Sequence, residues 1–226
     1  VRVDGSHPAN YRITDADTLG AGGSATKFKR NIAAIQLAKT ITAEHRPATA
    51  DEQAILVQFV GWGGLKRELS DARQQLIDDE ILTAEEYHRA FQSVQNAHYT
   101  SPGIITALWQ AVADLGFTRG RVLEPSMGVG HFFGLLPPDI RATTMAGVEL
   151  DTLTGRIAQL LYPQSHVQVT GFQDATLPND YFDLVRETGG DLIEEVRLID
   201  RYENDAKFGD ERASYAYRIT YRSVER

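Results

Sequence analysis

Apolar residues recur at helical spacing through the first half of this 226-residue chain. From Ser24 to about Glu44, Phe28, Ile32, Ile35, Leu37, Ala38 and Ile41 form one stripe, which predicts an amphipathic helix with Ser24 as N-cap. Thr49-Ala50-Asp51-Glu52 carries a capping-box signature and starts a second helix, with Ile55, Leu56, Phe59 and Val60 as its buried face. That helix stops at Gly61-Trp62-Gly63-Gly64, a glycine turn that would lay the indole on a neighbour, as core packing or as a platform for a base. Further helices are expected near Ser70 to Asp79, from Thr83 to about Asn96, and from Gly103 to Leu115 after Pro102, the last carrying Ile104, Ile105, Leu108, Trp109 and Val112. Residues 1–23 are polar and glycine-bearing and read as an extended, partly flexible lead-in. Gly20, Gly22 and Gly23 have no strand before them and no Gly-Lys-Ser/Thr after them, which favours a linker over a phosphate loop.

The pattern changes after Leu115. A short apolar run from Arg121 breaks on Glu124-Pro125-Ser126-Met127-Gly128-Val129-Gly130, and a helix-compatible piece follows from His131 to Leu136. A second run ends on Gly147-Val148-Glu149-Leu150-Asp151. Thr152 to Leu161 is helical, Val167 to Val169 a third strand, Gly171 to Asp174 a turn, and Tyr181 to Val185 a fourth strand. Strands alternating with helices predict a parallel sheet with a ligand over the carboxyl ends of its strands. After a break at Glu187 to Gly190, Leu192 to Tyr202 and Ala213 to Tyr221 alternate with period two, and the polar stretch Glu203 to Arg212 joins them as a hairpin loop. Three regions follow: an all-helical 1–95, a Rossmann-like α/β domain over 96–185, and a β-hairpin tail over 186–226.

A net charge of −8 argues against a uniformly basic nucleic-acid surface but leaves room for a local groove. The absence of cysteine removes disulfides and thiolate metal sites and fits a cytoplasmic protein, and the six histidines show no H-x-x-x-H pair, so no metal site is expected. No apolar run reaches the length of a membrane span.

The central unit carries the chemistry. Glycine lets a backbone pass close to a ligand or take positive φ. An acid at the tip of the second strand can accept hydrogen bonds from both hydroxyls of a ribose, and Glu149 lies 19 residues beyond Gly130, the separation such a β-α-β unit requires. A dinucleotide site would want a third glycine where Phe133 stands. His98 and His131 flank this unit and read as satisfied or solvent-facing imidazoles.

Residues from about 10 to 185 resemble the front of large DNA methyltransferase-type proteins of phage and mobile elements. The motifs Asn96-Ala97-His98-Tyr99-Thr100-Ser101-Pro102, Glu124 to Gly130 with Phe132, Gly147 to Asp151 and Gly171-Phe172-Gln173 are similar to those that bind S-adenosylmethionine in N6-adenine DNA methyltransferases. The resemblance implies DNA as partner and a set of roles. Tyr99 and Thr100 would contact the methionine part of the cofactor, Glu124, Pro125, Gly128 and Gly130 would line the loop beneath it, Glu149 would hold the ribose, and Phe172 and Gln173 would sit by the adenine. The acceptor motif of that family, an Asn or Asp followed by prolines and an aromatic, should follow Val185, yet the chain reads Arg186-Glu187-Thr188-Gly189-Gly190. The catalytic residues therefore stay unassigned. Gly189 to Tyr202 and Ser214 to Arg222 are similar to the central hairpin of the anticodon-binding domain of phenylalanyl-tRNA synthetase beta chains, which implies tRNA as an alternative partner. Arg197, Arg201, Arg218 and Arg222 with Tyr217 and Tyr221 would form that surface, although residues 186–226 hold 8 basic and 10 acidic side chains. Three readings stand: a cofactor-binding methyltransferase-like protein without its acceptor strand end, a nucleic-acid-binding module, and a non-catalytic structural fragment.

Overall fold

The computed structural model describes residues 8–175, 193–203 and 213–221. The chain separates into two units, Val1–Ala175 and Thr176–Arg226.

In the first unit, helix α1 (Ser24–Ala43) buries Asn31, Ala34, Ile35, Ala38 and Ile41. Gly23, not Ser24, is its N-cap, and Ser24 is the first helical residue with its hydroxyl beside Glu68. Helix α2 (Ala50–Leu56) starts with the expected capping box, Thr49 accepting from the Glu52 amide and Glu52 from the Thr49 amide. It ends at Leu56, and its inward face differs from the apolar stripe: Ile55 is 44% exposed while Gln53 is buried. The reason is a debt at another helix end. The Gln53 Nε2 donates to the carbonyls of Leu160 (3.1 Å) and Leu161 (3.3 Å), which close helix α8 (Thr152–Leu161) and have no partner within it. The helix expected over 70–79 is two short ones, α3 (Lys66–Asp71) and α4 (Arg73–Asp78), meeting at Ala72. Helix α5 (Ala84–Ser93) has a second capping box at Thr83. Helix α6 (Pro102–Asp114) turns only Ile105 and Trp109 fully inward, whereas Ile104 and Leu108 are exposed.

Strands β1 (Arg119–Glu124), β2 (Arg141–Glu149) and β3 (His166–Val169) form a parallel sheet in that spatial order. Helix α7 (His131–Gly134) is a single turn in the β1–β2 connection. Glu124 pairs with Gly147 and Glu149 with Val169, so the carboxyl ends of all three strands lie side by side. One core runs from Ile13 through α1, α2 and α5 to Met127, Val129, Ile157, Leu161 and Tyr162, so the helices and one face of the sheet share it. A small cluster of Ile105, Trp109, Leu136 and Ile140 lies under α6. The described part of the lead-in is a pinned strap. The Tyr11 amide donates to the Leu161 carbonyl (2.8 Å), the Ile13 amide to the Gly134 carbonyl (3.0 Å), and Asn10 accepts from the Gln164 amide (2.8 Å). Among the described residues, no helix is long and apolar enough to cross a membrane.

In the second unit, β4 (Ile193–Glu203) pairs antiparallel with β5 (Ala213–Tyr221), two register irregularities interrupting the ladder. Arg197 is the register partner of Arg218 and Leu198 of Tyr217, so the arginine pair and the tyrosines occupy alternate positions of the ladder. The fourth strand expected at Tyr181 to Val185, the segment Arg186 to Gly190, the loop 204–212 and Arg222 lie outside the described residues.

Candidate functional site

The loop after β1 is built by its own glycines. Gly128 (φ +57°) and Gly130 (φ +85°) take a left-handed backbone that other residues adopt only with strain. A Cβ on Gly128 would stand 2.9 Å from the Tyr99 hydroxyl oxygen, and one on Gly130 would enter the Tyr162 ring. The Met127 amide donates to the Val148 carbonyl (2.9 Å), docking the loop on β2.

Glu149, at the tip of β2, is held from two sides. Its Oε2 accepts from the Gly128 amide (2.8 Å) and its Oε1 from the Asp151 amide (2.9 Å). Each carboxylate oxygen keeps further acceptor capacity, so the group is oriented and not saturated. Burial raises its pKa, and those same amides pull it back. Asp151 caps α8, its Oδ1 accepting from both the amide and the hydroxyl of Thr154. Glu124, half-buried at the tip of β1, is pushed up to about 7 by desolvation alone.

Tyr99 stands between the loop and the helices. Its ring meets Phe59 and His131 edge-on, at centroid distances of 6.2 and 5.2 Å. Its hydroxyl is buried; the Val129 amide and the Thr154 hydroxyl face it, yet neither makes a hydrogen bond of good geometry. Burial, and then the charge of Glu149, hold the phenol well above its usual range, so it stays protonated. His131 is buried, interacts through Nε2 with the Val57 carbonyl (3.2 Å), and is pushed down to about 4 by desolvation. It is a neutral packing residue. His98 is exposed. Trp62 is buried against Phe28 and Phe59, so its indole is core and unavailable to a base.

The structure thus brings Tyr99, Gly128 and Glu149 into one contact network, with Gly130 in the same loop against Tyr162 and Met127, and Glu124 at the tip of the neighbouring strand in register with Gly147. Thr100 and Pro125 are exposed next to it. The Thr170 amide bonds the Glu149 carbonyl (2.9 Å), so the chain passes that tip just before the 3-10 turn Phe172–Asp174, where Phe172 is half-buried and Gln173 follows. Sequence reasoning missed Asn31, Gln53 and the capping role of Asp151. A polar residue inside an apolar stripe was the available signal for Asn31. Among the described residues no three His, Asp or Glu side chains are grouped to hold a metal ion.

No protein-family model matches the chain, and no solved structure matches it. Over 187 residues, 82% of the chain, it is 26% identical to the defense against restriction protein B of Escherichia phage P1, of which it spans 7%. Over 48 residues it is 52% identical to the mitochondrial phenylalanine–tRNA ligase of Mus musculus, spanning 10% of that protein. Over 42 residues it is 50% identical to the phenylalanine–tRNA ligase beta subunit of Symbiobacterium thermophilum, spanning 5%. The chain is therefore similar to a small part of each of these longer proteins.

Proposed function

We propose that the first unit binds S-adenosylmethionine and is related to DNA methyltransferases acting on adenine N6. The observation that carries this reading is the Glu149 carboxylate, fixed by the Gly128 and Asp151 amides at the carboxyl edge of a parallel sheet. The left-handed glycines of the loop let its backbone pass close to a ligand laid over that edge. The cofactor is a sulfonium with an amino acid, a ribose and an adenine, and it would supply an electrophilic methyl group. Glu149 would accept the ribose hydroxyls, and Tyr99 and Thr100 would border the amino-acid part. Glu124, Pro125, Gly128 and Gly130 would form the floor, and Phe172 with Gln173 the adenine wall. Acidic groups at Glu149 and Asp151 suit a ligand carrying cationic groups. With no acceptor motif in the sequence, methyl transfer to DNA would need groups supplied by another chain or another part of a longer one.

Calorimetric titration with S-adenosylmethionine and S-adenosylhomocysteine tests this. Micromolar binding that Glu149→Ala weakens by about a hundredfold, without unfolding, is the expected result. A folded protein that ignores both ligands overturns the reading. The short identity with tRNA ligases favours a second reading for the β4–β5 unit, an RNA-binding element. Filter binding of tRNA to the whole protein, lost on Arg197→Ala with Arg201→Ala, would support it, and unchanged retention would remove it.

A further inference from the structure

Asn31 lies on α1 with no exposed surface. A primary amide buried in an apolar stripe is costly unless both of its ends are used. Here they are: Nδ2 donates to the Gly61 carbonyl (2.6 Å), and Oδ1 accepts from the Val60 amide (3.0 Å). One side chain therefore clamps the Val60–Gly61 backbone where it enters the Trp62–Gly64 turn after α2. The turn has left-handed glycine at Gly61 (φ +72°), and a Cβ there would come 2.5 Å from the Tyr99 ring and 3.2 Å from the Ala97 carbonyl. The same turn is tied to the Tyr99 segment by a hydrogen bond from the Gly63 amide to the Ala97 carbonyl (3.1 Å). The far end of the Tyr99 ring meets Gly128, whose amide holds Glu149. Contacts thus run unbroken from α1 to the acid: Asn31, Gly61, Tyr99, Gly128, Glu149.

We infer that Asn31 is a positioning residue for the ligand site, acting through the Gly61 turn to fix the plane of Tyr99 against the glycine loop. This rests on the cofactor reading above and extends it to a residue on the N-terminal helices. The amide geometry explains why a helix otherwise lined with alanine and isoleucine keeps a polar side chain in its stripe. A hydrophobic residue of similar size would pack there, but it would leave the Gly61 carbonyl and the Val60 amide buried without partners.

Two ligands separate a positioning role from general loosening. S-adenosylhomocysteine carries the amino-acid arm that Tyr99 would border, and 5′-methylthioadenosine lacks it. Asn31→Ala should weaken S-adenosylhomocysteine about tenfold and methylthioadenosine less than about twofold. In a Tyr99→Ala background the same change should leave both affinities unaltered. Equal weakening of both ligands, or of neither, overturns the inference while leaving the cofactor reading intact. A wild-type protein that binds neither ligand overturns both. Should Asn31→Ala fail to fold, hydrogen exchange on the unaltered protein decides. S-adenosylhomocysteine should slow exchange of the Val60 amide by a larger factor than that of the Ala72 amide, which lies between α3 and α4, and equal protection overturns the inference.

Discussion

The helices α1 and α6 show how differently two apolar stripes are used. Helix α1 has five buried positions, one of them polar, and they enter a core shared with α2, α5 and α8. Helix α6 is the more apolar in sequence, yet it buries Ile105 and Trp109 in a cluster of four and leaves Ile104 57% and Leu108 48% exposed. The difference lies in what each helix has to pack against. On one face the sheet is covered by α8 with the N-terminal helices behind it, whereas the cluster under α6 is small, closed by Leu136 and Ile140 of the β1–β2 connection with Phe117, Val122, Ala142 and Met145 at its border. Hydrophobic periodicity states which residues can be buried; the partner decides which are.

The largest test of that contrast is truncation in the shared core. Leu161 is wholly buried, and Leu161→Ala should cost about 3–5 kcal/mol in denaturant unfolding. A loss below about 1 kcal/mol would show that this core is looser than its burial implies. Acid should act on the same side of the sheet. His131 is neutral in the folded protein down to about pH 4, while an unfolded histidine protonates near 6.5. The unfolded state therefore takes up the proton first, and stability falls as pH drops from 6.5 to 4, by up to about 3 kcal/mol. Glu124 works in the opposite direction between about 4.5 and 7, because its folded carboxyl holds a proton that the unfolded one releases. His131→Gln should remove this contribution, so that stability falls less, or rises, as pH drops from 6.5 to 4 in urea unfolding; an unchanged pH dependence would exclude His131 as a source of the decline. Next in size is the cap of α5, whose Tyr87 and Ala90 close the shared core. Thr83→Ala should cost about 1 kcal/mol, read as a lowered unfolding midpoint. Smallest is Leu108→Ala on α6, within about 0.5 kcal/mol of wild type. A loss comparable to that of Leu161→Ala would mean that the exposed stripe is covered in solution.

Much of the site was legible because it is local. Gly128, Gly130 and Glu149 follow from a strand, a turn and an acid at fixed spacing, and Thr49 and Thr83 from capping boxes of four residues. What escaped is contact across long separations. Asn31 reads as a flaw in a stripe until the Val60–Gly61 turn is seen beside it. Gln53 reads as a surface residue until the last carbonyls of α8, more than 100 residues away, are found to need a donor. Ile55, expected on a buried face, is exposed for the complementary reason, since an apolar side chain carries no mark of whether a neighbour will arrive.

The strap at residues 10–13 has a consequence for how the protein is made. Its partners are Gly134, Leu161, Gln164 and Ser165, and Gln53 likewise waits for Leu160. At about 5–20 residues per second, some 4–14 seconds of translation separate residue 95 from residue 165. During that interval α1, α2 and α5 are already synthesised but lack the surface they close upon. The α1–α2 pair can form first, but its burial is complete only after α8 has been made.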